Sequence, residues 1–128
     1  MTHPKSKIEH GKILIAEDDL INQRLLSYQL KELQDNLIFA CNGKEAFDLF
    51  KENNNVSLVL MDIQMPGMNG VEATQKILEY DPKAKVIGLS AYPKEECRFD
   101  VEIVDFVDYV TKPVNKNELV KVIFQHLT

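Results

Sequence analysis

One run of residues restricts the possible folds more than any other. Val56-Ser57-Leu58-Val59-Leu60-Met61 is almost wholly apolar and stops at a carboxylate, Asp62. The chain then passes Ile63-Gln64-Met65 and turns through Pro66-Gly67 and Asn69-Gly70 into a helical pattern. A strand buried on both faces reads as such a run, and it belongs to a parallel sheet covered by helices. A strand that carries an acid to the edge of its sheet, followed by a tight loop, presents a reactive group. Asp62 is therefore a candidate nucleophile.

The rest of the chain repeats this grammar. Lys12-Ile13-Leu14-Ile15-Ala16 is a short apolar run that halts at Glu17-Asp18-Asp19. From Leu20 to Leu33, Leu26, Leu30 and Leu33 recur at helical spacing, with Asp19 as the N-cap. Leu37-Ile38-Phe39-Ala40 predicts a second strand, and a helix with Ala46, Phe47, Leu49 and Phe50 inward follows. Val71 to Tyr80 predicts the third helix, and Val86-Ile87-Gly88-Leu89, ending at Ser90, the fourth strand. Pro93, Glu95 and Glu96 suit the first turn of a fourth helix carrying Cys97, Val101 and Val104. Phe106 to Val110 predicts a fifth strand, and Leu119, Ile123 and Leu127 mark a fifth helix. Asn42/Glu45, Asn69/Glu72 and Asn115/Glu118 share the spacing of a capping box, which supports three of these helix starts. Five strands alternating with five helices over short loops predict an α/β fold with a doubly wound parallel sheet.

With 128 residues the chain has the length of a single domain and can bury a real core. Residues 1–11 read as an N-terminal arm and 12–128 as the domain. Twenty acids against 15 bases give a net charge of −5, and no basic block marks a nucleic-acid surface. Nothing approaches the roughly 18 consecutive apolar residues of a membrane span. The polar opening Met1-Thr2-His3-Pro4-Lys5-Ser6-Lys7 lacks the apolar centre of a signal peptide. Cys41 and Cys97 have no metal spacing; they read as small part-buried side chains in a reduced, cytoplasmic setting.

Ligands of such sheets sit outside the carboxyl ends of the strands. Those ends carry Glu17, Asp18 and Asp19, then Asp62, then Ser90, then Tyr109 with Lys112-Pro113 just beyond. Two carboxylates about 4 Å apart repel by roughly 1 kcal/mol in water and about 4 kcal/mol at an effective dielectric near 20. A hard divalent cation reverses that repulsion, and Mg²⁺ takes oxygen ligands while keeping waters that a phosphate can displace. No His or Cys stands at these strand ends, which argues against zinc. Lys112 supplies a point charge able to hold an anionic group against the metal.

Together, Ile13-Leu14-Ile15-Ala16-Glu17-Asp18-Asp19, Met61 through Gly70, Leu89-Ser90-Ala91 and Asp108-Tyr109-Val110-Thr111-Lys112-Pro113 resemble the receiver domain of two-component response regulators. The resemblance runs from Lys12 to Leu127. It implies the flavodoxin-like strand order 2-1-3-4-5 and a switch rather than an enzyme, assisting its own Mg²⁺-dependent phosphorylation and dephosphorylation. It implies that Asp62 takes a phosphoryl group from a phosphohistidine on a sensor histidine kinase or histidine phosphotransfer protein. Asp18 and Asp62 would bind Mg²⁺ (or Mn²⁺) directly, Glu17 through water, and the Gln64 backbone carbonyl would add a ligand. Lys112, the Ser90 hydroxyl and the Ala91 amide would hold the phosphoryl oxygens. Ser90 and Tyr109 would be the switch, read by a target on the face of the fourth helix, fifth strand and fifth helix. The expected state is a monomer, with dimerisation on phosphorylation left open. No effector segment follows the domain in these residues, so the chain reads either as a single-domain receiver or as part of a longer protein.

Two departures from the family pattern stand out. Asp105 occupies the place of a glycine that closes the fourth helix in many receivers, and Ser90 replaces the commoner threonine. Two other readings compete. A receiver-shaped module that no longer takes phosphate would lack an acid, the lysine or the acceptor, and none is missing. A Mg²⁺-dependent phosphohydrolase would want a second carboxylate as general acid beside Asp62, where Ile63 and Gln64 stand instead.

Overall fold

The structure is a computed structural model and describes residues 11–96 and 101–127. Five parallel strands, β1 (Lys12–Ala16), β2 (Leu37–Ala40), β3 (Val56–Asp62), β4 (Val86–Ser90) and β5 (Asp108–Thr111), form one sheet in the order β2-β1-β3-β4-β5. The described residues also form four α-helices, of which α1 (Leu20–Gln29), α2 (Gly43–Glu52) and α3 (Gly70–Tyr80) connect strands and α4 (Lys116–His126) follows β5. This is the flavodoxin-like, doubly wound architecture expected, and α4 is the helix anticipated as the fifth.

The continuous apolar strands find partners on both faces. Ile13, Ile15, Leu58, Leu60, Ile87 and Leu89 pack with Leu26 and Leu30 around α1 and with Leu119 and Ile123 of α4. The alternate residues Leu14, Ala16, Val59, Met61 and Val86 meet Ala46 and Phe50 of α2 and Ala73 and Ile77 of α3. Each large side chain withdrawn from water in this way contributes about 2 kcal/mol. Because the side-chain period of a strand is two, this packing fixes which residues face which layer and so fixes the register.

Helix starts follow the caps. Asp19 Oδ1 accepts from the amides of Ile21 (2.8 Å) and Asn22 (3.4 Å). Asn69 and Glu72 form a complete capping box, whereas Asn42 and Asn115 each accept from the amide three residues on. Glu45 instead receives the Cys41 amide.

Several boundaries differ from the sequence reading. The first helix ends at Gln29, and a 3₁₀ segment, Lys31–Asn36, carries the chain to β2. Leu33 remains buried, since an i, i+3 spacing serves a tightened turn as well as an α-helix. The fifth strand begins at Asp108 rather than Phe106. Between β4 and β5, the described residues form two short 3₁₀ turns, Lys94–Glu96 and Val101–Ile103; residues 97–100, including Cys97, lie outside the description. Val101 is nevertheless buried against Ile63 and Val71, and Val104 and Phe106 are half-buried beside it with Tyr109, whereas Ile103 is exposed, so only part of the predicted apolar face is covered. No non-glycine described residue has positive φ, so Asp105 closes this segment without a left-handed backbone. Cys41 is exposed rather than part-buried, because it follows the end of β2 at the rim. Of the proposed arm only Gly11 falls among the described residues.

Candidate functional site

Parallel register brings the polar residues into one row. Ala16 lies opposite Met61 across β1 and β3, so Glu17 and Asp62 leave the sheet side by side. Asp62 pairs with Leu89 across β3 and β4, and Ser90 pairs with Thr111 across β4 and β5. The Lys112 amide then donates to the Ser90 carbonyl at 2.7 Å, which places the lysine one step beyond the serine. The peptide bond between Lys112 and Pro113 is cis.

Lys112 spans the acids. Its Nζ lies 3.1 Å from Glu17 Oε1 and 3.3 Å from Asp62 Oδ2, and both carboxylates are almost wholly buried. Burial raises the Asp62 carboxyl from its ordinary 3.8 to about 6; Lys112 opposes that rise and Glu17 adds to it. Burial by itself would lower the Lys112 ammonium, but the Asp62 and Glu17 carboxylates outweigh it and hold the group above its ordinary value. Glu17 is braced by the Asp19 amide, which donates to its Oε2 at 3.2 Å. The Gln23 side chain donates to the Glu17 carbonyl at 2.7 Å, a support that its place in α1 did not advertise.

Oxygen atoms of Glu17, Asp18 and Asp62 lie within 4.8 Å of one another. Asp18 is exposed, so the cluster opens to solvent on one side. A donor set of carboxylates only, two of them sharing a single ammonium, fits a hard divalent cation of the Mg²⁺ type. It does not fit a soft metal.

Ser90 is fully buried. Its hydroxyl donates to Gln64 Oε1 at 3.1 Å and accepts from the Tyr92 amide at 3.1 Å. Tyr109 is half-buried, its ring edge-on to Phe106, and its hydroxyl donates to the Tyr92 carbonyl at 3.0 Å. The ring lies against Gly88, where an added Cβ would come within 3.0 Å of Tyr109 Cδ2. Ala91 is exposed at the rim.

Two glycines shape the loop after Asp62. Gly67 has φ +75° and supplies the left-handed turn that Pro66-Gly67 announces. At Gly70 a Cβ would collide with the Asp62 carbonyl and lie 2.8 Å from Ile63 Cα. The start of α3 therefore sits directly against the end of β3, held by the Gly70 amide donating to the Ile63 carbonyl at 2.9 Å. Sequence reading took Asn69-Gly70 for a turn and missed this close approach; no local pattern could have shown it.

The candidate residues Glu17, Asp18, Asp62, Gln64, Ser90, Ala91 and Lys112 thus gather at one rim, while Tyr109 sits within β5 opposite Gly88 and is joined to that rim through Tyr92. The same rim adjoins a groove of about 340 Å³ between α1 and the Pro113-Val114 turn, with Glu17 and Lys112 at its mouth.

The pattern of the response regulator receiver domain matches residues 13–124, nearly the whole chain. The chain belongs to the receiver domain family. Its relatives include hybrid signal transduction histidine kinase I of Dictyostelium discoideum, 37% identical over 122 residues, which cover 88% of this chain. The match spans only 7% of that kinase's length, so the receiver corresponds to a small part of it. Among solved structures, the CheX–CheY–BeF₃–Mg²⁺ complex from Borrelia burgdorferi aligns with TM-score 0.82 and 28% identity, covering 92% of this chain and 90% of that one. The receiver of Ssk1 in complex with the histidine phosphotransfer protein Ypd1, from Saccharomyces cerevisiae, aligns with TM-score 0.81 and 28% identity, covering 92% and 89%. The chain is accordingly a receiver domain of two-component phosphorelay signalling. No helix among the described residues of this receiver is long and apolar enough to cross a membrane.

Proposed function

We propose that Asp62 is the phosphoacceptor of this receiver. A carboxylate oxygen of Asp62 forms a bond to phosphorus as the bond from phosphorus to the donor histidine nitrogen breaks, and the imidazole leaves with its electron pair. Phosphoryl transfer asks the protein chiefly to position the group and to neutralise its oxygens. Lys112, already within 3.3 Å of Asp62, is the cation for those oxygens, and the Ser90 hydroxyl and Ala91 amide bind them from the other side. Glu17, Asp18, Asp62 and the Gln64 carbonyl would hold Mg²⁺ (or Mn²⁺), which when bound supplies further positive charge against the phosphoryl oxygens. The observation that carries this reading is the single ammonium shared by two buried carboxylates, one of which ends the central strand.

The donor is a histidine kinase or a histidine phosphotransfer protein, as in the Ypd1 complex. Leu20, Ile21, Leu25 and Tyr28 support this: all four are exposed on α1, Ile21 by 76%, and Leu25 lines the groove that also holds Lys112. An exposed apolar patch of this kind marks an interaction surface. Output runs through the face that the segment between β4 and β5, β5 itself and α4 form, where Tyr92, Ile103 and Val107 are exposed. A cytoplasmic setting agrees with the free, exposed Cys41. Acetyl phosphate with Mg²⁺ should add one phosphoryl group to the intact mass, and Asp62→Asn should remove that gain. A folded protein whose mass does not change would overturn the assignment.

A further inference from the structure

A serine hydroxyl has one proton to give. In this structure Ser90 gives it to Gln64 Oε1, while its oxygen accepts the Tyr92 amide. The Tyr92 carbonyl, on the far side of the same residue, receives the Tyr109 hydroxyl. These bonds form one line from the residue two places after Asp62 to the aromatic of β5, and Tyr92 is its middle link. Ser90 is fully buried and Gln64 half-buried, so the bond between them is only partly open to water.

We infer that the Gln64 side chain is a positioning residue that latches the resting state of the switch. It engages the only proton with which Ser90 could bind a phosphoryl oxygen, so phosphoryl binding requires that bond to break. The Ser90 oxygen is then drawn toward Asp62, the Tyr92 peptide loses its anchor, and the acceptor of the Tyr109 hydroxyl moves. Gln64 thus sets the threshold at which chemistry at Asp62 reaches Tyr109. Its backbone carbonyl and its side-chain amide serve different ends, metal binding and restraint. The inference rests on the phosphoacceptor reading and gives the side chain of Gln64 a regulatory part in it.

Beryllofluoride with Mg²⁺ stands in for the phosphoryl group, and its affinity can be titrated by calorimetry for wild type, Gln64→Met, Ser90→Ala and the double variant. Methionine keeps the length and the backbone carbonyl but removes the strong acceptor. Gln64→Met should tighten binding about fivefold, the worth of one ordinary hydrogen bond. In the Ser90→Ala background the same change should leave affinity within about twofold of its parent, because the latch needs the hydroxyl. A second readout needs no metal on the variant itself: the Tyr109 ring resonances of free Gln64→Met should move toward those of beryllofluoride-bound wild type, and should not do so when Ser90 is alanine. Gln64→Glu keeps an acceptor, so its charge should change affinity equally in both backgrounds. Equal effects of Gln64→Met in the two backgrounds, or unmoved Tyr109 resonances, would overturn the latch while leaving the phosphoacceptor intact. Wild type that fails to bind beryllofluoride would overturn both.

Discussion

The two sides of the rim are built on different principles. On the β1–β3 side, Glu17 and Asp62 are buried charges tied to Lys112 by short ion pairs, and the strands beneath them are central to the sheet. On the β4–β5 side, Ser90, Tyr92 and Tyr109 are joined by neutral hydrogen bonds of 3.0–3.1 Å, and Tyr92 is 47% exposed. The first side stores electrostatic strain in a rigid place. The second is held by contacts worth about 1 kcal/mol each, which a new anion can outbid. A switch needs both: a fixed charge trap, and a neighbour loose enough to respond.

The contrast is most exposed to test at Lys112. Lys112→Met leaves two buried carboxylates without their cation and should cost about 3 kcal/mol of stability in metal-free buffer near neutral pH. Urea unfolding measures this, and the loss should shrink when the pH is lowered to 5 and Asp62 takes a proton. A variant as stable as wild type would mean that the charged side is no more strained than the neutral one.

A smaller effect follows from Asp62 itself. Its carboxyl titrates at about 6 in the folded protein against an ordinary 3.8. Between those values the folded state keeps a proton that the unfolded chain has released, so stability falls as pH rises through the window. The fall from pH 4 to pH 7 should be about 2 kcal/mol greater in wild type than in Asp62→Asn, without divalent metal. Parallel pH profiles for the two proteins would remove the strain from the β1–β3 side.

The smallest effect belongs to the loose side. In Gly88→Ala the new methyl would press on the Tyr109 ring, which can swing away, so the cost should stay below about 1 kcal/mol. Tyr109 resonances should nevertheless shift while phosphoryl uptake at Asp62 persists. Uptake lost together with the ring shift would show that the two sides are not separable.

Much of this arrangement was legible in the residues alone. Apolar runs that stop at Glu17, Asp62 and Ser90 announce strands and their reactive ends together, because a strand covered on both faces stays nearly continuously apolar until its end. Asp19, Asn42, Asn69 and Asn115 announce helix starts, because orphan amides need an acceptor there. What stayed hidden depends on tertiary placement. Leu30 and Leu33 looked like continued α-helix, yet the same spacing fits the 3₁₀ turn that follows Gln29. Val101 and Val104 marked a partly buried face, but not the backbone that would present it. The partner of the Ser90 hydroxyl could not be read either, since Gln64 reaches it only once β3 and β4 lie side by side.

The bare Cα of Gly70 has a further consequence. With no side chain between them, the strand that carries Asp62 and the helix that begins at Gly70 have no clearance to slide past one another. A push on the acid is a push on the end of that helix. The protein could therefore be disabled by geometry, leaving every acid, lysine and hydroxyl in the sequence: one methyl group at position 70 would wedge the two elements apart and spoil the aim of a carboxylate it never replaces.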